Sequence, residues 1–131
     1  MRIEFQLPSD DLVYLETLAI DWETVMEGKS RWLLLHGFMI PKCYNHQKVS
    51  AAIQITPGYP DSQLDMVYFC PTLSRLDGKS IGATQHSESI DGKTWQRWSR
   101  HRTQDAPWRA GVDCVMTHIT LINDWLQREF T

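Results

Sequence analysis

Four arginines lie close together in the second half of the chain and form its most charged stretch. They are Arg97, Arg100, Arg102 and Arg109, and Asp105 is the one acidic residue among them. Guanidinium groups bind carboxylates and phosphates, and they stabilise negative charge that develops during a reaction. Two interpretations stay open for this stretch: a solvated loop, or a patch that faces an acidic partner or a developing negative charge.

The overall charge limits which acidic partners this stretch could bind. The 131 residues carry 13 Lys and Arg against 16 Asp and Glu, a formal net charge of −3. Nonspecific nucleic-acid binding depends on many Lys and Arg that neutralise phosphates. A nuclease, which is one alternative, would need clustered carboxylates with metal-ligand spacing, and the sequence has no such cluster. We expect no nucleic-acid partner and no cofactor.

The three cysteines, Cys43, Cys70 and Cys114, are odd in number and show no CxxC spacing. This pattern indicates neither a disulfide framework nor a zinc site. The N-terminus has no apolar run of signal-peptide length, and no stretch is long enough to span a bilayer. We therefore expect a cytoplasmic protein without a membrane partner.

The elements that position these residues follow from the hydrophobic pattern. A capping Ser or Asp ahead of Leu12 and Leu15 predicts a short N-terminal helix that ends near Ile20. A long, loop-rich segment covers residues 72–110, and segments of this kind are commonly functional. Alternating or continuous apolar runs predict strands at residues 23–27, 31–38, 48–56 and 65–70.

The last part of the chain has apolar residues at three- and four-residue steps, which predicts an amphipathic helix packed on the sheet. Together these elements predict an α+β fold in one domain over residues 1–131, with an antiparallel meander between the two helices. The apolar residues are Val112, Val115, Met116, Ile119, Ile122, Leu126 and Phe130.

The order of elements, together with the turn Pro57-Gly58-Tyr59-Pro60, resembles the ubiquitin-conjugating superfamily. In those enzymes a meander ends in a Tyr-Pro turn, and a His-containing loop, the catalytic residue and a Trp follow before a helix. A longer set of residues matches one branch of the superfamily: Ile40-Pro41, Tyr44-Asn45, Tyr59-Pro60, Asp65-Met66, Pro71, Gly92, Trp95-Gln96-Arg97-Trp98-Ser99-Arg100-His101, Trp108-Arg109 and Gly111-Val112-Asp113. Over residues 32–130 the chain thus resembles a prokaryotic branch called family E.

This resemblance implies the ubiquitin-conjugating-enzyme fold and a carrier function. Such a carrier receives a ubiquitin-like protein from an activating (adenylating) enzyme and passes it to an acceptor. The chain departs from the superfamily because no Cys lies between Pro71 and Asp113, where the thioester-forming residue should be. Aligning Trp108 with the superfamily's downstream Trp puts the nucleophile position at or beside Ser99.

We hypothesise that Ser99 accepts the ubiquitin-like C-terminus as an oxyester and that His101 is its base. A serine hydroxyl is a weak nucleophile near neutral pH and needs a base, and histidine exchanges its proton in that range. Two residues that lie two positions apart share a face only where the backbone is extended. The alternative is that Ser99 is a solvated loop residue and His101 a surface histidine.

Other residues of the segment are candidates for supporting roles. Arg100, Arg97 or backbone N–H groups are candidates to stabilise the oxyanion. His86 resembles by position the loop His of the superfamily's His-Pro-Asn motif, although Ser87 and Glu88 replace the Pro and the Asn. It is therefore a second candidate for the catalytic base, and a structural role for it stays open.

Four further residues have two interpretations each. Asp105 and Asp113 are candidates to orient the base, and Asp113 also fits a helix cap. Trp95 and Trp98 either anchor the donor protein or pack in the core.

The alternative for the whole chain is a catalytically inactive module that binds a ubiquitin-like protein non-covalently. A covalent intermediate would distinguish the carrier from the module.

Overall fold

The computed structural model describes residues 1–131, which form two helices and six strands. The α+β class is confirmed, and the four predicted strands correspond to the first four observed. Neither helix has the length and apolar character needed to cross a membrane. In chain order the elements are α1 (Ser9–Glu16), β1 (Asp21–Glu27), β2 (Ser30–Met39), β3 (Lys48–Ile55), β4 (Val67–Cys70), β5 (Ser87–Ile90), β6 (Lys93–Trp98) and α2 (Val115–Arg128).

The six strands form one antiparallel sheet in the order β1-β2-β3-β4-β6-β5. Strands β1 to β4 are the predicted meander, and β6 pairs with β4 and leaves β5 at the edge. The β5–β6 hairpin lies within residues 72–110, where the sequence predicts a loop-rich segment. Its turn is Asp91-Gly92, where both residues have positive φ (52° and 76°), as a type I′ hairpin turn requires.

One face of the sheet packs against α2 in a core of 23 buried residues. Ile119, Ile122 and Leu126 face the sheet, as the apolar spacing predicts. Val112 precedes the helix, and its side chain, like that of Met116, is exposed. Removing apolar side chains from water is the main source of folding free energy, so this core fixes α2 on the sheet.

The sheet curls, so its other face encloses a second, smaller core. Where the two ends of the sheet meet, the backbone N–H of Asp91 donates to Glu27 Oε1 (2.6 Å), and Arg2 forms ion pairs with Asp91 and Glu23. These contacts tie the tip of the β5–β6 hairpin to β1. Seven residues are buried in this core: Val25, Trp32, Leu34, Ala52, Tyr68, Ile90 and Trp95.

The two tryptophans of β6 belong to different cores. Trp98 is fully buried on the helix side, and Trp95 is 1% exposed in the smaller core. Their odd spacing explains the separation, because successive side chains of a strand point to opposite faces. Both therefore pack inside the protein and hold β6, the strand that leads to Ser99.

Candidate active site

Ser99 directly follows β6, at the start of an irregular stretch that leads to α2. Its side chain is half-buried, and its backbone N–H donates a hydrogen bond to the carbonyl of Ala83 (3.1 Å). The preceding residue, Trp98, is anchored in the core. The backbone at Ser99 is thus held by the hydrogen bond to the loop residue Ala83 and by core packing of the residue just before it.

Ser99, His101 and Asp65 form a continuous chain of hydrogen bonds. Ser99 Oγ lies 3.3 Å from His101 Nε2, and His101 Nδ1 lies 2.8 Å from Asp65 Oδ2. A carboxylate only accepts, so Nδ1 donates to Asp65, and in the neutral form of the ring Nε2 accepts from the Ser99 hydroxyl. In this order of groups an imidazole can take a serine proton while a carboxylate fixes its tautomer and orientation.

The carboxylate in this chain is not one of the two that the sequence suggested. Asp105 is exposed and makes no hydrogen bond, and buried Asp113 accepts from the backbone N–H of Arg109 (2.7 Å). The prediction that Asp113 caps α2 is wrong, because the chain turns back at residues 109–113 and Cys114 takes the N-cap position. Asp65 was missed because it lies 36 residues from His101, and no sequence pattern joins the two.

The residue after Asp65 holds the carboxylate in place. Met66 has φ 57°, a left-handed conformation that residues with side chains rarely adopt. Its N–H donates to the carbonyl of Arg100 (3.1 Å), and its carbonyl accepts from His118 Nε2 (2.8 Å). The turn that carries Asp65 is therefore joined both to the stretch that follows Ser99 and to α2.

His118 is a fully buried histidine on the core face of α2. Burial lowers its pKa to about 4, and the nearby Arg102 charge acts in the same direction. The ring is therefore neutral near pH 7, and its one proton lies on Nε2 because the Met66 carbonyl can only accept. Its Nδ1 has no partner, and the ring packs edge-on against Trp125. His118 is thus a neutral donor that fixes the position of Met66.

Arg100 fastens the backbone of the site. Its guanidinium donates to the carbonyl of Ser99 (3.2 Å), forms an ion pair with Glu129 (3.2 Å) and lies over the Trp98 ring. None of these contacts reaches the Ser99 hydroxyl. The backbone N–H groups of Arg100 and His101 donate no hydrogen bond in the structure, so two donors beside Ser99 are free.

His86 and Arg97 lie next to each other on the β5–β6 hairpin. The backbone N–H of Arg97 donates to the carbonyl of His86 (3.0 Å). The side chain of His86 is exposed and forms no hydrogen bond, and Arg97 Nε is buried without a partner. The structure therefore brings His101, and not His86, within hydrogen-bonding distance of Ser99.

The remaining arginines of the charged stretch do not form a free cationic patch. Arg102 is 10% exposed, lies over the Trp108 ring at 5.0 Å and is 3.8 Å from the Asp113 carboxylate. Arg109 is 65% exposed and pairs with the same carboxylate. The single buried carboxylate of Asp113 thus faces both guanidinium groups and offsets part of their charge.

The Tyr-Pro turn fixes the end of the irregular stretch that leads from Ser99 to α2. Trp108 Nε1 donates to the carbonyl of Pro60 (3.0 Å), and Tyr59 Oη donates to Asp11 Oδ2 (2.6 Å). The first N–H of α2, that of Val115, donates to Tyr59 Oη (2.9 Å). Burial raises the pKa of Asp11 and of Tyr59. One turn therefore ties together α1, the start of α2 and the stretch after Ser99.

An open cavity of about 290 Å³ lies beside His101. The His101 side chain is 59% exposed, and that of Asp65 is 27% exposed. A second molecule can therefore approach the imidazole from this side. The cavity is lined by Arg100, His101, Thr103, Trp125, Arg128 and Glu129.

The cysteines take no part in this hydrogen-bond chain. Cys43 is exposed between β2 and β3, Cys70 ends β4, and Cys114 caps α2; all three are free thiols. No group of three or more His, Cys, Asp or Glu side chains is arranged to hold a metal ion. The hydrogen-bond chain therefore consists of Ser99, His101 and Asp65, without a thiol.

Comparison with known proteins agrees with the architecture. A family model described as prokaryotic E2 family E matches residues 7–129. No curated protein and no solved structure matches the chain. The matched range covers nearly the whole chain and includes all three residues of the hydrogen-bond chain. The protein therefore belongs to prokaryotic E2 family E, within the ubiquitin-conjugating superfamily.

Proposed function

We propose that this chain is the carrier of a prokaryotic ubiquitin-like conjugation pathway and that it holds its cargo as an oxyester on Ser99. Family membership supports a conjugating-enzyme-like role, with a ubiquitin-like protein and an activating enzyme as partners. The observation that carries the choice of nucleophile is the hydrogen-bond chain from Ser99 through His101 to Asp65.

In the loading step, Ser99 Oγ attacks the activated C-terminal carbonyl of the ubiquitin-like protein. His101 Nε2 takes the hydroxyl proton, and Asp65 stabilises the resulting imidazolium. The tetrahedral intermediate then expels the leaving group of the activating enzyme, which receives that proton. The products are the Ser99 oxyester and the released leaving group. Base help of this kind contributes about 10²- to 10⁴-fold to the rate.

In the transfer step, an acceptor amine approaches through the open side of His101. The amine attacks the ester carbonyl and loses a proton to Nε2, and Ser99 Oγ leaves with that proton. An oxyester is less reactive toward amines than a thioester, so the oxyanion needs support. The free N–H groups of Arg100 and His101 are the donors that we assign to this support.

The test is to mix the chain with its activating enzyme, ATP and the ubiquitin-like protein and to measure intact mass. We expect an adduct equal in mass to the two proteins less one water, which mild base removes. Ser99→Ala should abolish this adduct, and His101→Gln should reduce it strongly. Ser89→Ala, at an exposed serine of β5, is the matched control and should load normally.

A different outcome would favour the binding module. If the ubiquitin-like protein forms a reversible complex with both the unsubstituted chain and Ser99→Ala, and no adduct appears in either, the carrier function is wrong. Equal loading of Ser99→Ala and the unsubstituted chain would place the acyl group on another residue.

A further inference from the structure

The catalytic imidazole has no cover that would keep water away from it. His101 is 59% exposed, and the cavity beside it is open. Trp125 is the only apolar residue among its six lining residues. Enzymes that transfer a group to an acceptor other than water commonly close the site to exclude hydrolysis. This site has no such closure within the chain.

The same hydrogen-bond chain acts on water as it does on an amine. After loading, His101 Nε2 has passed its proton to the leaving group and is again a base. Because the His101 side chain is mostly exposed, water can reach the ring, donate to Nε2 and attack the ester carbonyl in place of the amine. The donors beside Ser99 support either tetrahedral intermediate, because both place a negative oxygen at the same carbonyl.

We propose that this chain is also an acyl hydrolase: without an acceptor amine, it releases its cargo from Ser99 with water. The inference rests on the proposed function. Water gives one proton to His101 Nε2, its oxygen bonds to the acyl carbon, and the bond from carbon to Ser99 Oγ breaks. Oγ takes the proton from Nε2, and the cargo leaves with a free carboxyl group. The substrate class is the C-terminal acyl ester of an extended peptide tail.

The test is the lifetime of the purified adduct after ATP and activating enzyme are removed. The control is the same adduct in denaturant at the same pH, which has the same ester without a folded site. We expect hydrolysis about 10²-fold faster or more in the folded adduct, from base help alone. Isotope-labelled water should place one oxygen in the released carboxyl group. A folded adduct as long-lived as the denatured one overturns the hydrolase and leaves the carrier standing.

A second measurement separates failure of the hydrolase from failure of the carrier when no adduct accumulates. The probe is p-nitrophenyl acetate, a small activated ester that needs no protein partner. Repeated turnover that disappears in Ser99→Ala, but persists in His86→Gln, supports the hydrolase. Acetylation of Ser99 without turnover overturns it. Absence of any Ser99-dependent reaction overturns both the hydrolase and the choice of nucleophile.

Discussion

Buried His118 should make the stability of this protein fall as the pH is lowered toward 5. We compare the effect of acidification on the stability of the unsubstituted chain and of the variant His118→Gln. Burial lowers the pKa of His118 from its ordinary value of 6.5 to about 4. The unfolded chain therefore takes up a proton below pH 6.5 that the folded chain does not take up until about pH 4.

The sign and the magnitude follow from this difference in proton uptake. Protonation favours the unfolded state between pH 6.5 and about 4, so stability is present above this window and is lost as the pH falls through it. Between about pH 7.5 and about pH 5, the loss assigned to His118 is roughly 2 kcal/mol. Gln keeps an amide that can donate to the Met66 carbonyl, but it does not titrate.

The assay is urea unfolding at several pH values, followed by tryptophan fluorescence. The four other histidines and all the carboxylates are the same in both proteins, so the difference between the two free energies of unfolding isolates His118. The substitution itself can change the free energy of unfolding by an amount that is the same at every pH. The prediction concerns only how the difference between the two proteins changes with pH. If this difference in the free energy of unfolding does not change with pH, or if the unsubstituted chain gains stability relative to His118→Gln on acidification, His118 is not a buried neutral imidazole.

Three substitutions test other parts of the structure. Asp65→Asn should slow loading of Ser99 by about 10²- to 10⁴-fold in a single-turnover assay, because the amide no longer fixes the His101 tautomer. Trp95→Ala should lower the free energy of unfolding by about 3–5 kcal/mol in a urea titration, because it empties the centre of the smaller core. Tyr59→Phe should cost about 1–3 kcal/mol in the same titration, because buried Asp11 loses its short hydrogen bond.

Each substitution has a result that would count against its explanation. Asp105→Asn, at an exposed carboxylate, is the control for Asp65→Asn. Equal loading by both variants would remove Asp65 from the mechanism. A loss below about 1 kcal/mol for Trp95→Ala would mean that the smaller core is not closed. Unchanged stability in Tyr59→Phe would show that the Tyr-Pro turn does not depend on that hydroxyl.

The sequence predicts most of the fold because the first four strands are alternating or continuous apolar runs and α2 has apolar residues at helical spacing. The β5–β6 hairpin escaped prediction for a physical reason. Gln96 and Trp98 face the helix side, while Trp95 packs in the smaller core, so β6 is buried on both faces and shows no alternation. The curl that creates the smaller core depends on contacts between the two ends of the sheet, which are distant in the chain.

The candidate site was predictable only where its residues are neighbours in sequence. Ser99 and His101 lie two positions apart, so the family resemblance and the chemistry of serine and histidine are enough to pair them. Asp65 lies too far away in the sequence to be assigned in this way. Asp65 reaches His101 because Met66 adopts a left-handed conformation and both Arg100 and His118 bind its backbone. Those contacts are tertiary, and no spacing along the chain indicates them.

The central claim is that a hydroxyl carries the cargo, and a variant without cysteine tests it most directly. Cys43, Cys70 and Cys114 are each replaced by Ala, and the variant is incubated with the activating enzyme, ATP and the ubiquitin-like protein. We predict a base-labile adduct that fragmentation maps to Ser99 and that further substitution of Ser99 by Ala removes. Loss of the adduct in the variant without cysteine, while the unsubstituted chain still loads, would contradict the account.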